Sequence, residues 1–197
     1  MITCAHQVGK WSFHEAEQRI LTWIAEDEIR MSELQAVREL NLPDWCIGAG
    51  YVRNLVWDKL HRYAEPTPLN DVDVVYYDPL CTQESMEKLY EQALQAKLPY
   101  RKWSFKNQAR MHMLNGNEPF VSTADAMMHW PELMTAVGVR MEPDGALTFI
   151  CPWGEQALQD LMAMHIRQSP KFKDRVYYEA RVRNKGWQVT WPYVRMK

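Results

Sequence analysis

The sequence predicts an α/β (α+β) domain: a mixed β-sheet with helices packed mainly on one side and a helical N-terminal segment. Three observations carry the prediction. Apolar residues recur at helical spacing in several segments, short β-branched and aromatic runs lie between them, and Gly- or Pro-bearing turns separate the two kinds. At 197 residues, 47% apolar and 24% charged, the chain has the make-up of a globular domain, which excludes wholesale disorder.

Ser12 to Glu15 has capping-box form, and Ala16, Ile20, Trp23 and Ile24 follow at helical offsets, so a helix is expected over Phe13 to Ala25. A second helix is expected over Ile29 to Leu40, stopped by Pro43. The run Asp44 to Ile47 reads as a strand that ends at Gly48-Ala49-Gly50. A helix over Tyr51 to Leu60 follows, then a loop with Pro66 and Pro68. Asp71 to Tyr77 is β-rich, and Met86, Leu89, Tyr90, Ala93 and Leu94 mark an amphipathic helix. Polar and apolar residues alternate from Tyr100 to Met113, which predicts one strand with Lys106 and Arg110 on its polar face. Ala124 to Trp130 reads as a helix. Val137 to Met141 and Ala146 to Cys151 read as two strands joined by a turn containing Asp144 and Gly145. A helix over Glu155 to Ile166 precedes a basic tail.

A formal net charge of −2 argues against a surface built throughout to hold nucleic acid, and no DNA binding is expected. Cys4, Cys46, Cys81 and Cys151 are widely spaced, with no zinc signature, which fits a reducing cytoplasm. No secretory signal or membrane-spanning run is read in the sequence, so no membrane association is expected.

The chemistry-bearing constellation is the glycine turn at Gly48 and Gly50 followed by Asp71-Val72-Asp73. Residues two apart on a strand share a face, so Asp71 and Asp73 stand side by side while Val72 and Val74 face the core. Two carboxylates that close repel unless a cation lies between them, and hard oxygen donors suit Mg²⁺ (or Mn²⁺). The glycine turn ends at a helix N-terminus, where free N–H groups favour phosphate. Either half alone has a plain reading, a tight turn or a solvated D-x-D. In this order and spacing they make a metal site and a phosphate cradle, as a nucleoside triphosphate (NTP) requires.

These residues carry a resemblance. Ile47 to Asp58 and Leu69 to Asp78 resemble a bacterial nucleotidyltransferase-like family, once listed as a domain of unknown function, of the polymerase-β-type nucleotidyltransferase superfamily. Lys106 to His112, Ser122 to Ala126, Trp130-Pro131, Gly145 to Pro152, Lys185 to Trp187 and Trp191-Pro192 extend it from about Leu40 to the C-terminus. The resemblance implies a metal-dependent enzyme that transfers a nucleotidyl group from an NTP to an acceptor hydroxyl on a small molecule, RNA or protein. Residues 1–40 would be a helical segment packed on residues 41–197, as one unit. Asp71 and Asp73 would bind the metal and serve catalysis, and Gly48 and Gly50 would approach the triphosphate.

The sequence departs from the superfamily at two places. The serine usual after the glycine is Tyr51, so Arg53 and Asn54 are the candidates to replace its phosphate contact, Arg53 equally reading as a surface arginine. The expected strand at Tyr100 to Met113 has no third acid. Asp125 is the best catalytic substitute, with Asp144 behind it, although Asp125 also suits a helix start. Lys106 and Arg110 either neutralise phosphate or form a solvated face. From Lys171 onward eight basic residues face only Asp174 and Glu179, with Tyr177, Tyr178, Trp187 and Trp191 interleaved. That tail either binds RNA or nucleotide by charge and stacking or is a solvated helix face capped by packed tryptophans. The departures leave open a catalytically inactive nucleotide-binding or interaction module of the same fold.

Overall fold

Helix α1 (Phe13–Ala25) begins where the sequence places it: Ser12 Oγ accepts from Glu15 N–H, and Ser12 N–H donates to Glu15 Oε2 at 2.9 Å. The computed structural model describes residues 11–197; Cys4 and the first ten residues of the expected N-terminal segment lie outside the described residues. After α1 come α2 (Glu28–Arg38), β1 (Cys46–Gly48), α3 (Gly50–His61), β2 (Val72–Tyr76), α4 (Glu84–Lys97), β3 (Trp103–Asn107) and α5 (Gln108–Asn115). Then follow α6 (Thr123–Met127), β4 (Gly138–Met141), β5 (Leu147–Ile150), α7 (Glu155–Met162), β6 (His165–Ile166), α8 (Arg175–Lys185), α9 (Trp187–Thr190) and β7 (Arg195–Met196).

Among the described residues, five strands form a sheet in the order β3-β2-β1-β4-β5. Strand β2 runs parallel to β3 through the α4 crossover, and the other pairings are antiparallel. Side-chain alternation divides the two faces. Ile47, Val72, Val74, Phe105, Val139 and Phe149 enter the main core, with Ile20, Ile24, Leu34, Val52, Val56 and Leu161 from the helices. The other face carries Asp73 and Ser104, paired in register, and a small cluster of Cys46 and Val75 against Met127 and Ala136. Helix α3 is central: every residue from Tyr51 to Asp58 is buried. Strands β6 and β7 form a separate parallel pair.

Three expectations are corrected. The strand expected from Tyr100 to Met113 ends at Asn107 and is followed by helix α5. Asn107 Oδ1 accepts from Ala109 N–H at 3.1 Å and so caps the new helix, while its backbone N–H donates to Glu87. Lys106 and Arg110 therefore do not share a strand face. The helix expected to reach Ile166 stops at Met162, and after Met164 at positive φ the chain enters β6. The basic tail folds as α8, α9 and β7, with Trp187 and Trp191 buried. No helix among the described residues is long and apolar enough to cross a membrane.

Candidate active site

The face of the sheet opposite the main core borders a cavity of about 700 Å³. Its walls include Ala49, Asp73 and Lys106 from the sheet side, His129 and Trp130 after α6, and Arg181 from α8. Asp71 lies exposed just before β2, and Asp73 sits within the strand, half-buried. Burial, and then the charge of Asp71, push the Asp73 carboxyl above its ordinary pKa, against a hydrogen bond with Ser104 and the charges of Lys185 and Arg181. Neither aspartate joins an ion pair among the described residues. Two neighbouring hard oxygen donors that repel one another, neither in an ion pair, are of the kind that suits a divalent cation. No group of three or more His, Cys, Asp or Glu among the described residues is arranged to hold a metal.

The glycine turn works differently from its appearance in sequence. A Cβ on Gly48 would lie 3.1 Å from Trp130 Cη2 and 3.3 Å from the Val137 carbonyl, so Gly48 makes room for Trp130. A Cβ on Gly50 would lie 3.3 Å from Arg53 Nη2. The unusual backbone belongs to Ala49, at φ 51° and ψ −117°. Ala49 precedes α3 without a side-chain cap, so no capping side chain accepts from the N–H groups of the first turn of α3.

Arg53 and Asn54 lie under this turn. Arg53 is 8% exposed, with its guanidinium 4.7 Å from the Trp187 ring centroid and 5.5 Å from that of Trp57. Its Nη2 donates to Asn54 Oδ1 at 2.8 Å, and its Nε has no partner. Burial lowers its pKa to about 10; Glu132, Asp73 and Asp71 oppose that shift and Arg181 adds to it. Arg53 is thus a buried cation within electrostatic reach of both aspartates, not a surface arginine.

Lys106 lines the cavity with its Nζ 3.3 Å from Glu87 Oε2, whereas Arg110, on α5, is a fork on the same carboxylate at 2.8 and 2.7 Å. Arg110 does not line the cavity. Asp125 sits in the first turn of α6: its Oδ2 accepts from Val121 N–H and its Oδ1 is 3.5 Å from Lys171 Nζ. It too is absent from the cavity lining. The C-terminal tryptophans pack rather than stack on a ligand. Trp187 and Trp191 are buried, with centroids 6.0 and 5.2 Å from that of Trp57, and Tyr178 is also buried. Of the four aromatics expected to interleave with the basic residues, Tyr177 alone lines the cavity, beside Lys171, Phe172 and Lys173.

A nucleotidyltransferase family model matches residues 35–196. The chain belongs to the nucleotidyltransferase family. An NMR structure described as a CCA-adding enzyme head domain is 31% identical to this nucleotidyltransferase, covering 91% of this chain and 95% of that one at a TM-score of 0.79. A tRNA-processing enzyme in an apo form is 17% identical at a TM-score of 0.51, a likeness of fold alone, and the chain spans less than half of that enzyme (43%). No curated protein matches the sequence. The polymerase-β-like fold expected from the sequence is the one observed.

Two features of this nucleotidyltransferase escaped sequence reasoning. Glu132 is fully buried, and Arg181 Nε donates to its Oε1 at 2.7 Å. Arg181 stood in the basic tail with no signal to separate it from its neighbours. The spacing 177, 181, 185 on a helix was the available clue, since it puts Tyr177, Arg181 and Lys185 on one face.

Proposed function

We propose that this nucleotidyltransferase moves a nucleoside monophosphate from an NTP to an acceptor hydroxyl, with Asp71 and Asp73 holding Mg²⁺ or Mn²⁺. The observation that carries the reading is the unpaired, partly buried Asp73 beside Asp71, in the wall of a cavity that Ala49 at the head of α3 also lines. When bound, the metal supplies charge neutralisation at the phosphates and lowers the cost of charge building up in transfer.

The uncapped first turn of α3 donates N–H groups to phosphate oxygens, and Arg53 beneath it adds a fixed positive field. The acceptor oxygen forms a bond to the α-phosphorus, the bond from that phosphorus to the bridging oxygen breaks, pyrophosphate leaves, and the acceptor proton passes to solvent. Lys106 lies on the same cavity wall as Asp73 and offsets phosphate charge. The 31% likeness to a CCA-adding enzyme head domain makes an RNA 3′ end the first acceptor to try. Small molecules and proteins are the other arms.

Calorimetric titration of each NTP with Mg²⁺ into the wild type and into Asp71→Asn/Asp73→Asn tests the reading, together with pyrophosphate release across acceptor pools. The expected result is metal-dependent binding and release in the wild type alone. Equal binding and turnover in both proteins removes the metal assignment, and binding without release supports the inactive nucleotide-binding module.

A further inference from the structure

Glu132 is 0% exposed, and a carboxylate in that position is costly unless its oxygens are satisfied. Thr135 Oγ1 donates to its Oε2 at 3.3 Å, and Arg181 Nε donates to its Oε1 at 2.7 Å. The Glu132 contact is made by Nε, and the guanidinium, which also hydrogen-bonds Tyr177, lines the cavity together with Asp73 and Ala49. Burial works against the charge of Arg181, but Glu132 and the neighbouring Tyr177 outweigh it and hold its pKa above the ordinary value. Asp73 feels the charges of Arg181 and of Lys185, one turn further along α8, without an ion pair to either. A permanently charged planar fork, fixed by a buried acid in the wall of the cavity that Asp73 also lines, suits phosphate oxygens better than any flexible lysine does.

We propose that Arg181, oriented by Glu132, grips the β- and γ-phosphates of the bound NTP and stays with the pyrophosphate as it leaves. The proposal rests on the reading of this cavity as the NTP site. In that arrangement the N–H groups at the head of α3 and the Arg181 fork hold the polyphosphate from two sides, and Glu132 is a positioning residue that touches no substrate.

The test is equilibrium binding of ATP, ADP and AMP, each with Mg²⁺, to the wild type, Arg181→Lys and the double variant Glu132→Gln/Arg181→Met. The double substitution removes the pair without stranding a buried charge, and thermal melting checks that it folds. ATP affinity is expected to fall about 10- to 100-fold in the double variant, the worth of one charged hydrogen-bonding contact. AMP affinity should stay within about twofold, and Arg181→Lys should fall between. An ATP-over-AMP preference kept in both variants overturns the proposal, as does an equal loss for all three nucleotides. If the double variant does not fold, Arg181→Lys alone decides by the same ratio. A wild type that does not prefer ATP to AMP overturns the NTP-site reading beneath it, an outcome separate from failure of Arg181.

Discussion

Trp191 Nε1 donates a 2.7 Å hydrogen bond to Asp58 Oδ1, joining residues 133 positions apart and fastening the end of the chain to the central helix. The other oxygen of Asp58 accepts from Thr67 N–H at 2.8 Å and from Thr67 Oγ1 at 3.1 Å, so one buried carboxylate ties three segments together. Asp58→Ala strands the indole N–H and the Thr67 N–H at once. The expected loss is about 2–4 kcal/mol of unfolding free energy, measured by denaturant titration. Asp58→Asn keeps an acceptor and should lose less.

On the proposed reading, Asp73 sets function against stability. In the protein without metal its carboxylate bears a burial cost and the repulsion of Asp71. Asp73→Asn removes both, so the metal-free melting temperature should rise by about 2–4 °C, equivalent to roughly 1 kcal/mol. Nucleotidyl transfer should fall at least about 100-fold. A variant that is both less stable and fully active contradicts this account.

Ala49 holds a backbone conformation that glycine adopts more easily. Relief of that strain is worth about 1–3 kcal/mol, while the added freedom of the unfolded glycine chain costs about 0.4–1 kcal/mol. Ala49→Gly should therefore stabilise by about 1 kcal/mol in chemical unfolding. Gly48→Ala should do the reverse, by about 1–3 kcal/mol, because the new methyl group meets Trp130 and the Val137 carbonyl.

Glu87 gives a pH signature. Burial alone would raise its pKa, but the Arg110 fork, the Asn107 N–H and Lys106 outweigh burial and hold it below 4.5. A carboxyl depressed in the folded state stabilises above its unfolded pKa and loses that contribution as pH falls through the folded value. Melting curves from pH 7 down to 3 should show wild type and Glu87→Gln differing most at neutral pH and converging below about 4.5.

Local signals were readable and long-range ones were not. The capping box of α1, the turn between β4 and β5 and the burial of Val72 and Val74 on either side of Asp73 all depend on residues within a few positions of one another. The end of β3 was hidden because the alternation of polar and apolar residues persists through Gln108 to Met113, and a side-chain cap from Asn107 decides where the chain turns. Arg53 is buried because Trp187 lies over it, and Glu132 because Arg181, 49 positions later, neutralises it. Strand β7 exists only beside β6, so two residues of sequence carry no sign of it. The D-x-D was legible as a pattern, whereas the cationic wall needs the fold to bring α8 across the cavity.

Strand β1, three residues long, takes its register from β2 on one side and from β4 on the other, with Ile47 opposite both Val74 and Val139. A ribosome delivers β4 about ninety residues after β1. Until then β1 has one bare flank, and Gly48 and Ala49 lack the Val137 backbone that anchors the head of α3. A nascent chain therefore completes the central pairing of its sheet late, once the segment bearing β4 has emerged from the exit tunnel.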